Sequence, residues 1–415
     1  MEKSLENKML NNKPRIIAFY LPQFHPIPEN DEWWGKGFTE WTNVAKAKKY
    51  FHGHYQPRIP ADLGFYDLRV PETRELQAQL ARDAGIEGFC YWHYWFDENH
   101  QLLERPFNEV LKSGKPDFPF CLAWANESWY AKLWDKDVRK DKLLIEQKYD
   151  GIAQYTKHFY DVLPAFKDER YIKQDGKPIF VIYKPLASPE ISIFIKTWRE
   201  LAKKNGLEGI YFVGHCINDR KNISKYFELD LDAVNTCCLN DYTSKRNFFG
   251  KTFYYVYRYL FKKPFVIPYK KVSKMFFDKN TDENKKVCPS IITGWDHTPR
   301  SAKNGTVFTK ETPEQFSAHV KTVLENTKGK FIFVKSWNEW AEGNYLEPDL
   351  KFGHKYLDVL REAVSSQQSA VSSQQSAVSS QQSAVSSQQS AVDYVARVKF
   401  VKYQFVKTGE IRRCA

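Results

Sequence analysis

Glu339 and Glu342 stand three residues apart in the run SWNEWAEGNYLEPD, Ser336–Asp349. Hydrolysis or transfer at an anomeric carbon needs one protonated carboxyl to donate to the leaving oxygen. It needs a second, ionised group to assist attack. A helical turn would bring both carboxyls to one face. Trp337 and Trp340 beside them would desolvate one glutamate and raise its pKa, which separates the two roles. Spacing alone favours a plainer alternative, a solvated pair capping the final helix.

The neighbours of the pair shift that balance. Tyr20, His25, Trp33, Trp34, Glu40 and Trp41 follow the first apolar run of the chain. Trp92, His93, Tyr94 and Trp95 follow the second, and Trp124, Asn126, Glu127, Trp129 and Trp134 the third. His215, Asn218 and Asp219 follow the fifth, and Trp295, Asp296, His297 and Arg300 the seventh. Trp337, Asn338 and Trp340 accompany the glutamates after the last. Of 12 tryptophans only Trp198 lies outside this set, whereas packing alone would scatter them. Sugars stack their CH faces on indoles and offer hydroxyls to Asp, Glu, Asn, His and Arg. The set therefore reads as a glycan-binding rim, with an aromatic lid over a core as the plainer alternative.

Such a rim needs strands to carry it. Eight β-rich apolar runs are present: Ile16–Leu21, Ile86–Trp92, Phe118–Trp124, Pro178–Tyr183, Gly209–His215, Leu231–Cys237, Cys288–Gly294 and Phe331–Trp337. Continuous rather than alternating apolar character means burial on both faces, as in a parallel sheet. Helical patterns lie between them. Pro71–Ala84 stops at Gly85. Pro189–Asn205 has Ser188 as its expected N-cap, and Pro313–Lys328 opens on the capping pattern Thr312, Pro313, Gln315. Gln101–Ser113, Gly151–Lys167 and Asp349–Val364 fit the remaining gaps. The expected fold is a (β/α)8 TIM barrel, with chemistry at the C-terminal strand ends. An open doubly wound sheet is less favoured because no GxGxxG follows the first strand.

The chain has 415 residues, 42% hydrophobic and 27% charged, which excludes wholesale disorder. No run of 18 apolar residues occurs. Met1–Arg15 lacks an apolar h-region, and seven cysteines without a CxxC pair read as reduced core residues. A cytoplasmic location, at most peripheral on the inner membrane face, is the expectation. A net charge of +12 invites nucleic acid, anionic lipid or a phosphorylated substrate. No nucleic-acid module supports the first, so no nucleic-acid partner is expected. Tyr242–Phe277, after the sixth strand, holds thirteen aromatics, nine Lys/Arg and no acid. It is read as an insertion that holds a phosphate or lies on an anionic membrane, or else packs on the barrel. The heptad AVSSQQS repeats four times over Ala363–Ser390 and reads as a loose or marginally helical spacer. The expected organisation is a polar segment 1–14, a barrel 15–364, a spacer 365–392 and a basic tail 393–415. Asp135-Lys-Asp137 and Asp230-Leu-Asp232 match a short DxD pattern common by chance. His52-Gly-His54 lacks a ligand partner at metal-binding spacing.

Five ordered motifs carry a resemblance. They are IIAFYLPQFHPIPENDEWWGKGFTEWTNV (16–44), GFCYWHYWF (88–96), CLAWANESW (121–129), GWDHTPR (294–300) and SWNEWAEGNYLEPD (336–349). Together they resemble the WbsX-type glycosyltransferases, a family related to glycoside hydrolase family 99, the endo-α-mannosidases and endo-mannanases. The resemblance spans about Arg15 to Val364. It implies a (β/α)8 barrel acting on α-linked glycans in O-antigen, capsule or lipopolysaccharide assembly in bacteria. It implies a nucleotide-sugar or polyprenyl-phosphate-linked donor if the enzyme transfers, and water if it cleaves. Asn338–Glu342 matches the NEWxE motif of the hydrolases. Glu339 would then take the proton of the sugar 2-hydroxyl, which closes on the anomeric carbon as a 1,2-anhydro sugar, and Glu342 would act as acid and then base. That route needs no protein nucleophile, metal or cofactor. A non-catalytic glycan-binding barrel is the alternative from another class.

Overall fold

The computed structural model describes residues 14–130, 142–239, 252, 260–261, 263–367, 369, 389–390 and 392–395. Eight parallel strands form the barrel: β1 Arg15–Tyr20, β2 Gly88–Asp97, β3 Phe120–Trp124, β4 Lys177–Ile182, β5 Tyr211–Ile217, β6 Ala233–Cys237, β7 Val287–Ile292 and β8 Phe331–Lys335. Each pairs with its neighbour in sequence, and β1 pairs with both β2 and β8, so the sheet closes. The registers Ile17↔Gly88 and Ile16↔Ile332 fix the closure. All eight runs expected from the sequence are strands, and the barrel is a (β/α)8 fold.

The principal helices are α1 Pro28–Trp34, α2 Glu40–Ala45, α3 Pro71–Asp83, α4 Arg105–Ser113, α5 Gly151–Lys167, α6 Ile191–Lys204, α7 Ile223–Phe227, α8 Tyr269–Phe276 and α9 Pro313–Asn326. Proline at the first turn starts α3 and α9, where a missing N–H costs nothing. Thr312 Oγ1 caps α9 by accepting from the Gln315 N–H at 3.4 Å. In α6 the expected cap is corrected. The helix begins at Ile191 with Glu190 in the cap position, and the Glu190 carboxylate accepts from Tyr155 on α5 at 2.7 Å. Ser188 instead ends a short 3₁₀ turn, Pro185–Ala187.

Aromatic rings fill both sides of the sheet. Inside, Phe19 stacks between Trp92 at 4.9 Å and Phe333 at 5.1 Å. Outside, fully buried Trp198 on α6 packs on Phe180 and Phe194 at 4.6 Å each. Gly88 opens β2 because a Cβ there would lie 2.3 Å from the Pro119 carbonyl oxygen. Without glycine, β2 and β3 could not approach so closely at the barrel floor.

The insertion after β6 is in part a framework element. Phe265–Pro268 pairs parallel with Thr306–Thr309, and α8 follows directly. Phe265, Tyr269, Val272 and Phe276 are buried against Cys237, Ile292 and Phe308. These aromatics therefore belong to the cover between β6 and β7, in line with the alternative that the segment packs on the barrel. Residues 240–251, 253–259 and 262 lie outside the described residues. A helix begins at 355. Residues 362–415 form a separate unit, in which 362–367, 369, 389–390 and 392–395 are helical. Most of the heptad repeat and nearly all of the basic tail lie outside the described residues, as does Trp134.

Candidate active site

The C-terminal strand ends surround a cleft that opens to solvent. After β8 the chain makes a short 3₁₀ turn, Trp340–Glu342, and reverses at Gly343, whose φ of +59° lies in the left-handed region. A Cβ at Gly343 would also meet Asp296 at 2.8 Å, so a close approach adds to the conformational requirement. This turn aims both glutamates into the cleft.

Lys335 connects them. Its Nζ lies 2.6 Å from Glu339 Oε2 and 3.6 Å from Glu342 Oε2. Glu339 Oε1 also accepts from Trp92 Nε1 and Ser336 Oγ, both at 3.2 Å. Glu342 Oε1 accepts from Arg300 Nη1 at 2.5 Å, and His297 Nε2 stands 3.8 Å away. The other arm of Arg300 donates to buried Glu40 on α2. Burial pushes the Glu339 carboxyl up to about 7, against the pull of Lys335. Burial acts on Glu342 in the same sense, but Arg300 and Lys335 outweigh it and bring that carboxyl down to about 2. Each carboxyl affects the charge of the other across Lys335, so the titration belongs to the pair. One ionised and one protonated carboxyl at neutral pH is the equipment of acid–base catalysis.

Aromatic walls flank the pair: Trp34 and Phe38 on one side, Trp129 and Tyr130 of a hairpin with Leu143–Ile145 on another, and Trp92, Tyr94, Tyr183 and Trp295 between. Of the residues expected at the rim, Trp34, Glu40, Trp92, Tyr94, Glu127, Trp129, Trp295, Arg300, Glu339 and Glu342 line the cleft.

The others are corrected. Side chains alternate along a strand, and only one phase points inward. On β2, Trp92 and Tyr94 take it. His93 and Trp95 face α5, where His93 Nε2 meets His158 Nε2 at 2.9 Å and Trp95 stacks on His158 at 4.1 Å. Trp124 points outward and donates to the Trp95 carbonyl. Tyr20 donates to Gln77 on α3, and His25 is buried away from the cleft. Trp33 packs beside Phe96 and Leu102, and Trp41 donates to the Tyr66 carbonyl. Asn126 and Asn338 are backbone clamps rather than sugar ligands. Each amide bonds both N–H and C=O of one residue on the neighbouring segment, Lys184 for Asn126 and Leu21 for Asn338. Asp296 is fully buried and accepts from His54 at 2.7 Å, Gln56 at 2.8 Å and the Thr298 hydroxyl at 2.6 Å. Trp337 and Trp340 face the core, with Trp340 Nε1 donating to Glu347 at 2.6 Å, so Trp92 and not they touches Glu339. Asp230 and Asp232 are ion-paired with Arg199 ahead of β6, at the opposite end of the barrel.

Sequence reasoning missed Lys335, Tyr183, Phe38 and Tyr130. Alternation counted from Phe331 and Phe333 would have turned Lys335 inward, although lysine at a strand end ordinarily reads as solvated.

The family model for glycosyltransferase WbsX matches residues 16–360. The chain belongs to the WbsX glycosyltransferase family. The uncharacterized protein WxcX of two Xanthomonas campestris pv. campestris strains is 33% identical to this WbsX-family chain over 362 residues, 84% of its length. The match covers 49% of WxcX, so the chain spans about half the length of these curated relatives. Among solved structures, a GH99 endo-α-mannosidase from Bacteroides thetaiotaomicron in complex with bis-tris propane is similar with a TM-score of 0.55 at 16% identity, over 86% of this chain and 98% of that one. A glycoside hydrolase-like protein gives 0.54 at 16% identity, over 85% and 94%. At such identity the likeness is one of fold.

Proposed function

We propose that this WbsX-family chain is a carbohydrate-active enzyme that breaks or transfers α-glycosidic linkages, with Glu339 and Glu342 as its acid–base pair. The observation that carries the reading is the carboxyl pair held by Lys335 and Arg300 at the base of an aromatic cleft. Glu339 takes the proton of the sugar 2-hydroxyl while O2 closes on the anomeric carbon. Glu342 protonates the departing oxygen. Water or an acceptor hydroxyl then opens the 1,2-anhydro sugar, yielding its proton to Glu342 as Glu339 returns one to O2.

The unliganded pair holds its proton on Glu339. The proposed roles therefore require glycan binding to move it to Glu342. A neutral glycoside fits the cleft better than a nucleotide-sugar. Among the described residues, Arg300 is paired with Glu40 and Glu342, Lys335 with Glu339 and Glu342, and Lys184 with Glu127. None of these three cations is left uncompensated for a diphosphate. A role in surface-polysaccharide assembly is part of the same proposal and rests on the resemblance of the five sequence motifs.

The test is incubation of the purified chain with α-linked manno-oligosaccharides, with and without acceptor glycans, and mass spectrometry of the products. Glu342→Gln should lower the rate by about 10²–10⁴-fold, and by less with leaving groups that need no proton. Wild-type turnover in both Glu339→Gln and Glu342→Gln would refute the role of the pair, and glycan binding without turnover in the wild type would reduce the chain to a glycan-binding barrel.

A further inference from the structure

Lys335 ends a strand whose side chains alternate, and the phase set by Phe331 and Phe333 turns it into the barrel. Its side chain is 5% exposed. A buried ammonium is costly unless carboxylates compensate it, and a neutral side chain would fill the same space without that cost. Its position between the two carboxyls points to a task in that pair.

The groups facing it are known from each surrounding element. Glu339 and Glu342 come from the turn after β8, Arg300 from the segment after β7 and Glu40 from α2. His215 of β5 and Cys237 of β6 lie on the barrel side. Tyr94 of β2 and Tyr183, just past β4, line the same cleft and lie near the two glutamates. The two cations divide the acids between them. Arg300 binds Glu40 and Glu342, and Lys335 stands nearer Glu339, at 2.6 Å against 3.6 Å for Glu342.

We propose that Lys335 is a positioning residue that orients Glu339 and lowers the cost of its ionised form, so that Glu339 can serve as the base once the proton has moved to Glu342. This rests on the acid–base reading above. The Trp92 and Ser336 donors are neutral and bind the other oxygen, Oε1, so they help the anion but cannot replace a full charge. With Lys335 gone, Glu339 faces burial and the Glu342 charge with only the more distant Arg300 to offset them.

The test reads the carboxyl itself and needs no substrate. The full chain is labelled with [δ-¹³C]glutamate, and the Glu339 resonance is assigned by its loss in Glu339→Gln. In Lys335→Gln and Lys335→Met the Glu339 midpoint should rise by more than about one pH unit, and in Lys335→Arg by less than about 0.3. With an oligosaccharide that the wild type turns over, Lys335→Gln should lose about tenfold or more in kcat near pH 6, keep KM within about twofold, and recover at alkaline pH. A Glu339 midpoint that stays in place or falls in Lys335→Gln overturns the proposal. Melting curves verify the fold. A Lys335→Arg protein that does not fold would assign the lysine to the framework and overturn the proposal as well. An unshifted midpoint beside an inactive Glu339→Gln refutes this inference alone. A shifted midpoint beside a fully active Glu339→Gln refutes the acid–base reading instead.

Discussion

Two glutamates in one turn should respond to the same substitution with opposite changes in stability. The two glutamates titrate together, and burial raises the Glu339 side of the pair to about 7, above the ordinary 4.5, so folding is penalised when this carboxyl ionises. The penalty is absent below the unfolded value, grows between 4.5 and about 7, and is complete above. At about 1.36 kcal/mol per pH unit it reaches roughly 3 kcal/mol, and roughly 1–3 once neighbouring side chains relax. Glu339→Gln mimics the protonated form, so it should raise the melting temperature at about pH 8 by roughly 2–4 °C. At about pH 4.5 the same substitution should change little. Glu342 is the reverse case. Its folded value of about 2 lies below 4.5, so its contribution is present above the unfolded value and is lost as pH falls from 4.5 towards 2. Glu342→Gln leaves Arg300 with Glu40 alone, and should destabilise by a similar roughly 1–3 kcal/mol at about pH 8. Calorimetric or fluorescence melting of the three proteins at both pH values decides it. Two substitutions that shift melting in the same direction at pH 8, or a Glu339→Gln effect equal at both pH values, would refute the charge assignment of the site.

Further outcomes follow from the same packing. Trp198→Ala, which removes a fully buried ring from the α6–sheet interface, should cost about 3–5 kcal/mol in denaturant unfolding while the glutamate titrations keep their midpoints. Asn338→Ala should cost about 1–3 kcal/mol and reduce kcat more than substrate affinity, because it releases the clamp between Leu21 and the turn that carries both glutamates. Deleting 370–388, in the repeat, should leave the melting temperature of the barrel within about 1 °C, since residues 362–415 are a unit apart from Met1–Arg361. A larger loss would show that the repeat packs on the barrel.

Much of the fold was legible because the signals are local. Eight apolar runs bounded by turn residues, with helical patterns between them, lead to a closed barrel and place the site at one end of it. The glutamate pair was legible for the same reason, since three residues of spacing decide whether two side chains share a face. Expected bounds mostly shifted by a few residues, except after β6. There, aromatic density alone could not distinguish an exposed basic surface from a covering helix. Tyr269 and Phe276 are buried because α8 lies over β6 and β7, which their own segment does not encode.

The sequence by itself therefore determined the elements, their order and the carboxyl pair, since propensity, turn chemistry and residue spacing act within a few residues of chain. Only the tertiary structure decided which rim residues line the cleft. Barrel closure selects one phase of each strand, so Trp92 and Tyr94 enter the cleft while His93 and Trp95, one residue away, pack on α5. It also decided the charge of the site. Arg300 and Glu40 meet across 260 residues of sequence, and Lys335 stands between the two glutamates. Desolvation and Coulomb attraction depend on what is near in space, and neither can be counted along a chain.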